Sequence, residues 1–114
     1  MSLKDSLYHI VSCESGKAVV RLDPSSPVYA AHFPGYPITP GVVLIEIATE
    51  LLSAGAAGGL LELSEAVNVK FVSPVIPGEE TLLTYLFAPD GEQRWKVNVL
   101  CSETLCAKMT LQYR

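Results

Sequence analysis

Four residues between positions 32 and 50 have side chains or backbone groups suited to acid–base chemistry. The stretch "AHFPGYPITPGVVLIEIATELL", Ala31 to Leu52, places Glu46 within an apolar run and His32 upstream of it. A carboxyl group in apolar surroundings is expected to have a raised pKa, because burial disfavours its charged form. A neutral carboxylic acid near pH 7 is a competent general acid, whereas a neutral imidazole can accept a proton.

Gly41 and Glu50 complete the set. The backbone N–H of Gly41 is expected in the unpaired first turn of a helix, at its positive end, where the absence of a side chain lets a ligand carbonyl approach. Glu50 follows Glu46 by four residues and shares its helix face, so its charge would raise the pKa of Glu46 further. Alternatively, Glu50 turns to solvent and has no such effect.

A base, an acid and an anion-stabilising donor together suit one kind of reaction. They would remove a proton next to a carbonyl and expel a group from the neighbouring carbon. Taken alone, however, a histidine near a proline-rich loop is usually structural, and a helical glutamate usually extends to solvent.

The helix that carries these residues is predicted from Thr39 or Pro40 to Ala54. Threonine suits the N-cap and proline the first helical position, and the glycines that begin at Gly55 end the helix. Because the segment is apolar nearly all round, it is expected to be buried.

Six short segments show the composition and two-residue alternation of strands. The first two form a hairpin through Glu14-Ser15-Gly16-Lys17, and Pro89-Asp90-Gly91 supplies a later turn. The predicted strands are Leu7–Cys13, Ala18–Leu22, Ala66–Ser73, Thr81–Phe87, Arg94–Cys101 and Leu105–Tyr113.

The length of 114 residues, with 49% hydrophobic and 18% charged residues, fits a single domain spanning 1–114. One buried helix and about six antiparallel strands predict an α+β fold in which a curved sheet wraps the helix. A single sheet layer leaves part of the helix uncovered. A second subunit, arranged as a two-fold dimer, is therefore expected to cover it.

Several classes of function are not supported by composition. No long apolar run or basic-then-apolar N-terminus predicts membrane insertion or secretion, so a cytoplasmic location is expected. A net charge of −4 without a basic stripe argues against nucleic-acid binding. Three cysteines without CxxC spacing predict neither a zinc site nor a disulfide framework.

Two motifs in the right order resemble the FabA/FabZ-type 3-hydroxyacyl-(acyl carrier protein) dehydratases. The first is "HFPGYPITPGVVLIEIA", with an acidic residue fourteen positions after the histidine, and the second is "NVKFVSPVIPGEETLL". The similarity extends from about Tyr8 to the C-terminus. It implies the hot-dog fold, a homodimer or dimer of dimers, and an active site at the subunit interface, with His32 of one chain facing Glu46 of the other.

By this resemblance, the protein dehydrates (3R)-hydroxyacyl thioesters, on acyl carrier protein or coenzyme A, to trans-2-enoyl thioesters in fatty-acid, polyketide or pigment synthesis. His32 would take the α-proton, Glu46 would protonate the departing hydroxyl, and Gly41 would bind the thioester carbonyl. Phe33, Tyr36 and Phe71 are candidates to line the acyl tunnel, and the alternative is that these aromatic residues complete the core. No metal or organic cofactor is implied, because the thioester itself acidifies the α-carbon.

The sequence also departs from the family. Many relatives have glutamine where Glu50 stands, and its amide helps to orient the catalytic carboxylate, whereas Glu50 cannot donate a hydrogen bond unless it is protonated. The segment Val67 to Val72 has one basic residue, Lys70, so carrier docking would be weaker or would use Arg94 and Lys96. Two alternatives remain: a hot-dog thioesterase in which Glu46 activates water, and a non-catalytic acyl-binding partner subunit.

Overall fold

The computed structural model describes residues 3–27, 29, 38–55, 59, 61–77 and 81–114. Within these residues, the candidate site is positioned by six strands and one helix, and each of these elements is at least six residues long. The helix is α1 (Gly41–Ala54), and the strands are β1 (Tyr8–Glu14), β2 (Lys17–Leu22), β3 (Leu63–Phe71), β4 (Leu82–Pro89), β5 (Arg94–Cys101) and β6 (Thr104–Tyr113).

The strands form one antiparallel sheet in the order β1-β2-β4-β5-β6-β3. The predicted hairpin is confirmed: Glu14 pairs with Lys17, and Gly16 adopts a φ of +78° that a residue with a side chain rarely takes. The α+β prediction, a six-stranded sheet with one long helix, is confirmed as well.

Side chains alternate across the sheet as their sequence spacing predicts. On β5, Trp95, Val97 and Val99 are buried, whereas Lys96 and Asn98 on the opposite face are exposed. The same alternation on β6 places Met109 and Leu111 inside. The inner face of the sheet therefore supplies one wall of the core.

Helix α1 supplies the other wall through a single face. Leu44, Ile47, Ala48, Leu51 and Leu52 are each at most 4% exposed. Two buried hydroxyl bonds attach this helix to the sheet. The Tyr85 hydroxyl donates to the Leu44 carbonyl over 2.9 Å, and the hydroxyls of Thr49 and Tyr113 lie 2.9 Å apart. These bonds satisfy polar groups that would otherwise be costly to bury.

The opposite side of α1 differs from the prediction of a helix buried all round. Val42 is 71% exposed, and Glu46 is also exposed in the isolated chain. Further exposed apolar side chains surround the start of the helix: Ile38, Phe71, Val72 and Ile76. The chain alone therefore leaves a continuous apolar surface beside the helix N-terminus.

The predicted N-cap is wrong in detail. Pro40 is the N-cap, with φ −66° and ψ 155°, and no side chain caps the first turn. The hydroxyl of Thr39 instead pairs with that of Tyr29 at 2.9 Å, and its N–H donates to the Val75 carbonyl. The Thr39 hydroxyl, which a local helix cap would have used, is therefore engaged in a tertiary contact.

Strand β3 begins at Leu63 rather than Ala66 and ends at Phe71 rather than Ser73. Its pairing with β6 is interrupted twice, between Leu63 and Glu65 and between Val67 and Lys70. Asn68, between the latter two, has a φ of +51°. Such irregularities shift side chains relative to the two-residue period, so periodicity alone misplaces both ends of the strand. Among the described residues, no helix is long and apolar enough to cross a membrane.

Candidate active site

Glu46 projects from α1 into a groove of about 660 Å³. The groove lies between the helix, β1 and the beginning of β3. Its lining combines apolar side chains with a few polar groups: Lys4, Tyr8, Ile10, Glu46, Thr49, Glu50, Ser53, Ala54, Gly59, Leu61, Glu62 and Leu63. A largely apolar groove that contains a few carboxyl and hydroxyl groups is the arrangement expected of an acyl site.

The pKa of Glu46 is raised from its ordinary value. Desolvation is the main cause, and the charge of Glu50 one turn later adds to it, as does a hydrogen bond between the two side chains. The effect predicted from the i, i+4 spacing is therefore present. A raised pKa keeps a larger share of Glu46 protonated near neutrality, which is the state that can donate a proton.

Glu50 does not turn to solvent. Its carboxylate accepts bonds from the backbone N–H groups of Leu3, at 2.9 and 3.1 Å, and Lys4, at 3.1 Å, and from the Tyr8 hydroxyl at 3.0 Å. Burial and this bond to Glu50 raise the pKa of Tyr8, which stays a neutral donor. Glu50 is thus held in place by the segment that precedes β1.

Gly41 lies at the start of α1 in a second depression of about 300 Å³. The N–H groups of Gly41 and Val42 have no acceptor among the described residues, since the first intrahelical bonds are donated by Val43 and Leu44 to Pro40. The Phe71 ring covers Gly41 so closely that a Cβ added there would lie 2.5 Å from its Cε2 atom. A side chain at position 41 would therefore require this ring to move.

Gly41 and Glu46 do not share a cavity within one chain. Glu46 follows Gly41 by five residues, which corresponds to roughly 7.5 Å along the helix axis and about 140° around it. They accordingly line the 300 Å³ depression and the 660 Å³ groove, respectively. A reaction that needs both groups would therefore have to combine one of them with a group from a second chain.

His32, Phe33 and Tyr36 lie outside the described residues. Their predicted roles as base and acyl-site residues therefore stay predictions. The predicted site is represented in the structure by Gly41, Glu46 and Glu50.

Two contacts of the site were missed from the sequence. Tyr8 is only 1% exposed and bonds Glu50, and Phe71 forms the cover over Gly41. A tyrosine at the start of a strand and an aromatic at the end of another carry no distinctive sequence signal. Their roles depend on contacts with α1 from distant parts of the chain.

A resident metal has no evident ligand set in the described part of the chain, where no three His, Cys, Asp or Glu side chains converge. The thiols of Cys13, Cys101 and Cys106 are free.

Comparisons with known proteins agree with the resemblance found in the motifs. A family model described as ApeI-like, ApeI dehydratase, matches residues 10–110. A 3-hydroxyacyl-[acyl-carrier-protein] dehydratase FabZ from Pseudoalteromonas translucida is 30% identical over 95% of this chain and 83% of its own length. The same-named protein from Paramagnetospirillum magneticum is 27% identical over 94% of this chain and 76% of its own.

The chain spans only about half the length of some other relatives with that name. Among solved structures, the dehydratase heterocomplex ApeI:P from Xenorhabdus doucetiae has a TM-score of 0.69 at 22% identity. That match covers 92% of this chain and 93% of the other. At this identity the likeness concerns the fold, and it confirms the predicted hot-dog arrangement.

Proposed function

We propose that this chain, which belongs to the ApeI-like dehydratase family, removes water from (3R)-hydroxyacyl thioesters to give trans-2-enoyl thioesters. The prediction of a FabZ-type dehydratase is confirmed at the level of the family. The identity of the substrate, its carrier and the residue roles are our proposal. The observation that carries it is Glu46, an acid with a raised pKa at the motif position of the family's acid, inside a largely apolar groove.

In the proposed reaction, His32 takes the α-proton while the thioester carbonyl accepts a hydrogen bond from the Gly41 N–H. The electron pair of the broken C–H bond forms the new double bond. The β-hydroxyl leaves as water with the proton that Glu46 donates. Proton transfer from a positioned acid and stabilisation of the oxyanion each lower the barrier, the latter by about 3–4 kcal/mol in typical cases.

We propose a two-fold homodimer, alone or as half of a dimer of dimers, as the active form. The separation of Gly41 and Glu46 on α1 supports it, because a facing chain could bring His32 and Gly41 to Glu46 of its partner. The exposed apolar side chains of Ile38, Val42 and Val72 supply a surface that a second copy would cover. The exposed edge of β3 lies beside this surface.

The carrier is proposed to be an acyl carrier protein, with a coenzyme A thioester as the alternative carrier. The printed names of the FabZ relatives support the first. We propose a cytoplasmic location, where the reaction would serve fatty-acid synthesis or a related polyketide or pigment pathway. No cofactor is required by the proposed steps.

Purified protein mixed with 3-hydroxyacyl and trans-2-enoyl thioesters, on both carriers and at several chain lengths, tests the proposal by product mass. Loss or gain of water is expected, and His32→Ala and Glu46→Gln should each lower the rate by about 10²–10⁴-fold. Glu103→Gln, at an exposed turn, is the matched control and should retain the wild-type rate.

Release of free thiol without enoyl product would instead support the thioesterase alternative. Binding of acyl thioesters without turnover, with activity recovered only when a companion chain is added, would support the partner-subunit alternative. Wild-type rates in either variant would remove that residue from the mechanism. Size-exclusion chromatography with light scattering on each variant would separate loss of chemistry from loss of the dimer.

A further inference from the structure

Tyr8 links the first strand to the two carboxyl groups of α1. Its side chain is buried, and its hydroxyl donates to Oε1 of Glu50 over 3.0 Å. Glu50 lies one helical turn after Glu46, and the three residues line the same groove. Tyr8 therefore bonds the neighbour of the proposed acid, although the proposed steps assign no role to it.

The donors around Glu50 suit its ionised form. Its Oε1 atom accepts the Tyr8 hydroxyl and the N–H of Lys4 at 3.1 Å. The N–H of Leu3 bonds both oxygens, at 3.1 Å to Oε1 and 2.9 Å to Oε2. An ionised carboxyl group only accepts hydrogen bonds, whereas a protonated one must also donate. A proton on Oε1 would face two backbone N–H groups that cannot accept it, so these contacts favour Glu50 without a proton.

Glu46 is surrounded by fewer donors. Among the described residues, its carboxyl group accepts no bond from a backbone N–H, and its hydrogen-bond partner is the carboxyl group of Glu50. Two carboxyl groups in hydrogen-bond contact cannot both ionise without repulsion, so the pair tends to retain one proton. Because the donors around Glu50 favour its ionised form, Glu46 is the better place for this proton.

Several other charged or titratable groups surround this pair. A positive charge at the amino end of the chain lowers the pKa of Glu46 and so opposes the effects of burial and of Glu50. In the proposed dimer, His32 of the facing chain is a further neighbour. All of these groups stay unchanged in the test below. Those in the described part of the chain are Lys4, Asp5 and Glu62, which are exposed, and Tyr113, whose pKa is raised mainly by burial.

We propose that Tyr8 is a positioning residue that keeps the single proton of the Glu46–Glu50 pair on Glu46. Tyr8 acts through Glu50, whose ionised form its hydroxyl stabilises. The inference rests on the proposed function for the use of this proton, which Glu46 gives to the departing β-hydroxyl. After that transfer two carboxylates face each other, and their repulsion favours the return of a proton from protonated His32 or from solvent.

The location of the proton is measured in the protein without substrate. The side-chain carboxyl carbons of glutamate are labelled with ¹³C and followed by NMR from acid to alkaline pH, and Glu46→Gln and Glu50→Gln assign the two signals. In a coupled pair both carbons report two titration steps, and the size of each step shows which group carries the proton. In the wild-type protein, we expect the step at higher pH to be larger at Glu46 than at Glu50.

Tyr8→Phe removes only the hydroxyl. A hydrogen bond to a charged group corresponds to about a ten- to hundredfold change in an equilibrium constant, so the ratio of the Glu46 step to the Glu50 step should fall by about this factor. Fluorotyrosine at position 8, a stronger donor of similar size, should change the ratio in the opposite direction. Tyr85→Phe is the matched control, because it removes another buried tyrosine hydroxyl that bonds α1, at the Leu44 carbonyl, and its ratio should equal that of the wild type.

The dehydration rate supplies a second readout. Tyr8→Phe should lower kcat by about three- to tenfold near neutrality while KM stays within about twofold, because less of Glu46 carries a proton. In a Glu50→Gln background there is no second carboxyl group to take the proton. Adding Tyr8→Phe to that background should therefore change kcat by no more than about twofold.

A higher-pH step that is larger at Glu50 in the wild-type protein would overturn the proposal. So would a step ratio that stays the same with phenylalanine or fluorotyrosine at position 8, or one that changes as much in Tyr85→Phe. An equal loss of kcat with and without Glu50 would also overturn it, since Tyr8 would then act on the fold or the substrate. If the wild-type protein converts none of the thioesters, the proposed function fails, whereas the carboxyl titration still decides where the proton lies.

Discussion

Replacing Gly41 by alanine tests the relation between the Phe71 ring and the start of α1. The added Cβ would meet three atoms of this ring at distances that real contacts do not show. Because Phe71 is 52% exposed, the ring can move toward solvent, but it must then give up its contact with the helix start. The substitution therefore changes both stability and the surroundings of the Gly41 N–H.

The expected cost follows from two opposing terms. Forcing an extra methyl group into a filled site typically costs about 1–3 kcal/mol. Alanine in place of glycine in a helix gains up to about 1 kcal/mol. Gly41→Ala should therefore lower the free energy of unfolding by about 0–3 kcal/mol.

The sign should reverse when Phe71 is absent. In a Phe71→Ala background, the alanine at position 41 meets no ring, and the double variant should be equal to or up to about 1 kcal/mol more stable than Phe71→Ala alone. The cycle is measured by urea unfolding at one fixed protomer concentration, since a dimer's stability depends on it. Equal effects of Gly41→Ala on the free energy of unfolding in both backgrounds would refute the contact between position 41 and the Phe71 ring.

Activity supplies a second test of the same site. If Gly41 binds the thioester carbonyl, displacement of its N–H in Gly41→Ala should lower kcat by about 10²–10³-fold. Removal of the ring in the double variant should restore part of this loss. Wild-type kcat in Gly41→Ala would show that the glycine is needed for packing alone.

Two further predictions concern the acid and the core. Glu50→Gln removes the charge that helps to raise the pKa of Glu46, so the protonated acid is lost at lower pH and the alkaline limb of the dehydration rate moves down the pH scale. Glu62→Gln, at the same groove, is the control, and an equal shift in both would contradict a specific effect of Glu50. Leu52→Ala, at a side chain 1% exposed, should cost about 2–5 kcal/mol of unfolding free energy, whereas Leu82→Ala, 40% exposed, should cost about 1 kcal/mol or less. Similar losses in thermal or urea unfolding for the two leucines would contradict the packing described.

Much of the fold could be predicted from the chain because its patterns are local. The alternation of Trp95, Val97 and Val99 identifies β5, and Gly16 identifies the first hairpin. The helix start was misread because Tyr29 takes the hydroxyl of Thr39, a contact made in three dimensions. The early beginning of β3 was missed because irregular pairing with β6 breaks the two-residue period there.

The candidate site was predictable in its residue types and less so in its arrangement. The raised pKa of Glu46 followed from helical spacing and burial alone. The bonds from Leu3, Lys4 and Tyr8 to Glu50 join parts of the chain more than forty residues apart, which no local pattern encodes. Helix geometry gives the distance and angle between Gly41 and Glu46, but whether one cavity contains both residues depends on side-chain packing.

The strand order also bears on how the chain reaches its native state. Strand β6 lies between β5 and β3, so β3 has no neighbour until the chain has been made through Tyr113. Strand β2 pairs with β1 at once, but its second neighbour, β4, follows more than sixty residues later. Pairings between such distant segments must overcome loop-closure entropy first, which makes folding slow compared with that of helical proteins of this size. During synthesis, the apolar face of α1 would be exposed without its final sheet, and this interval is when chaperones would be needed.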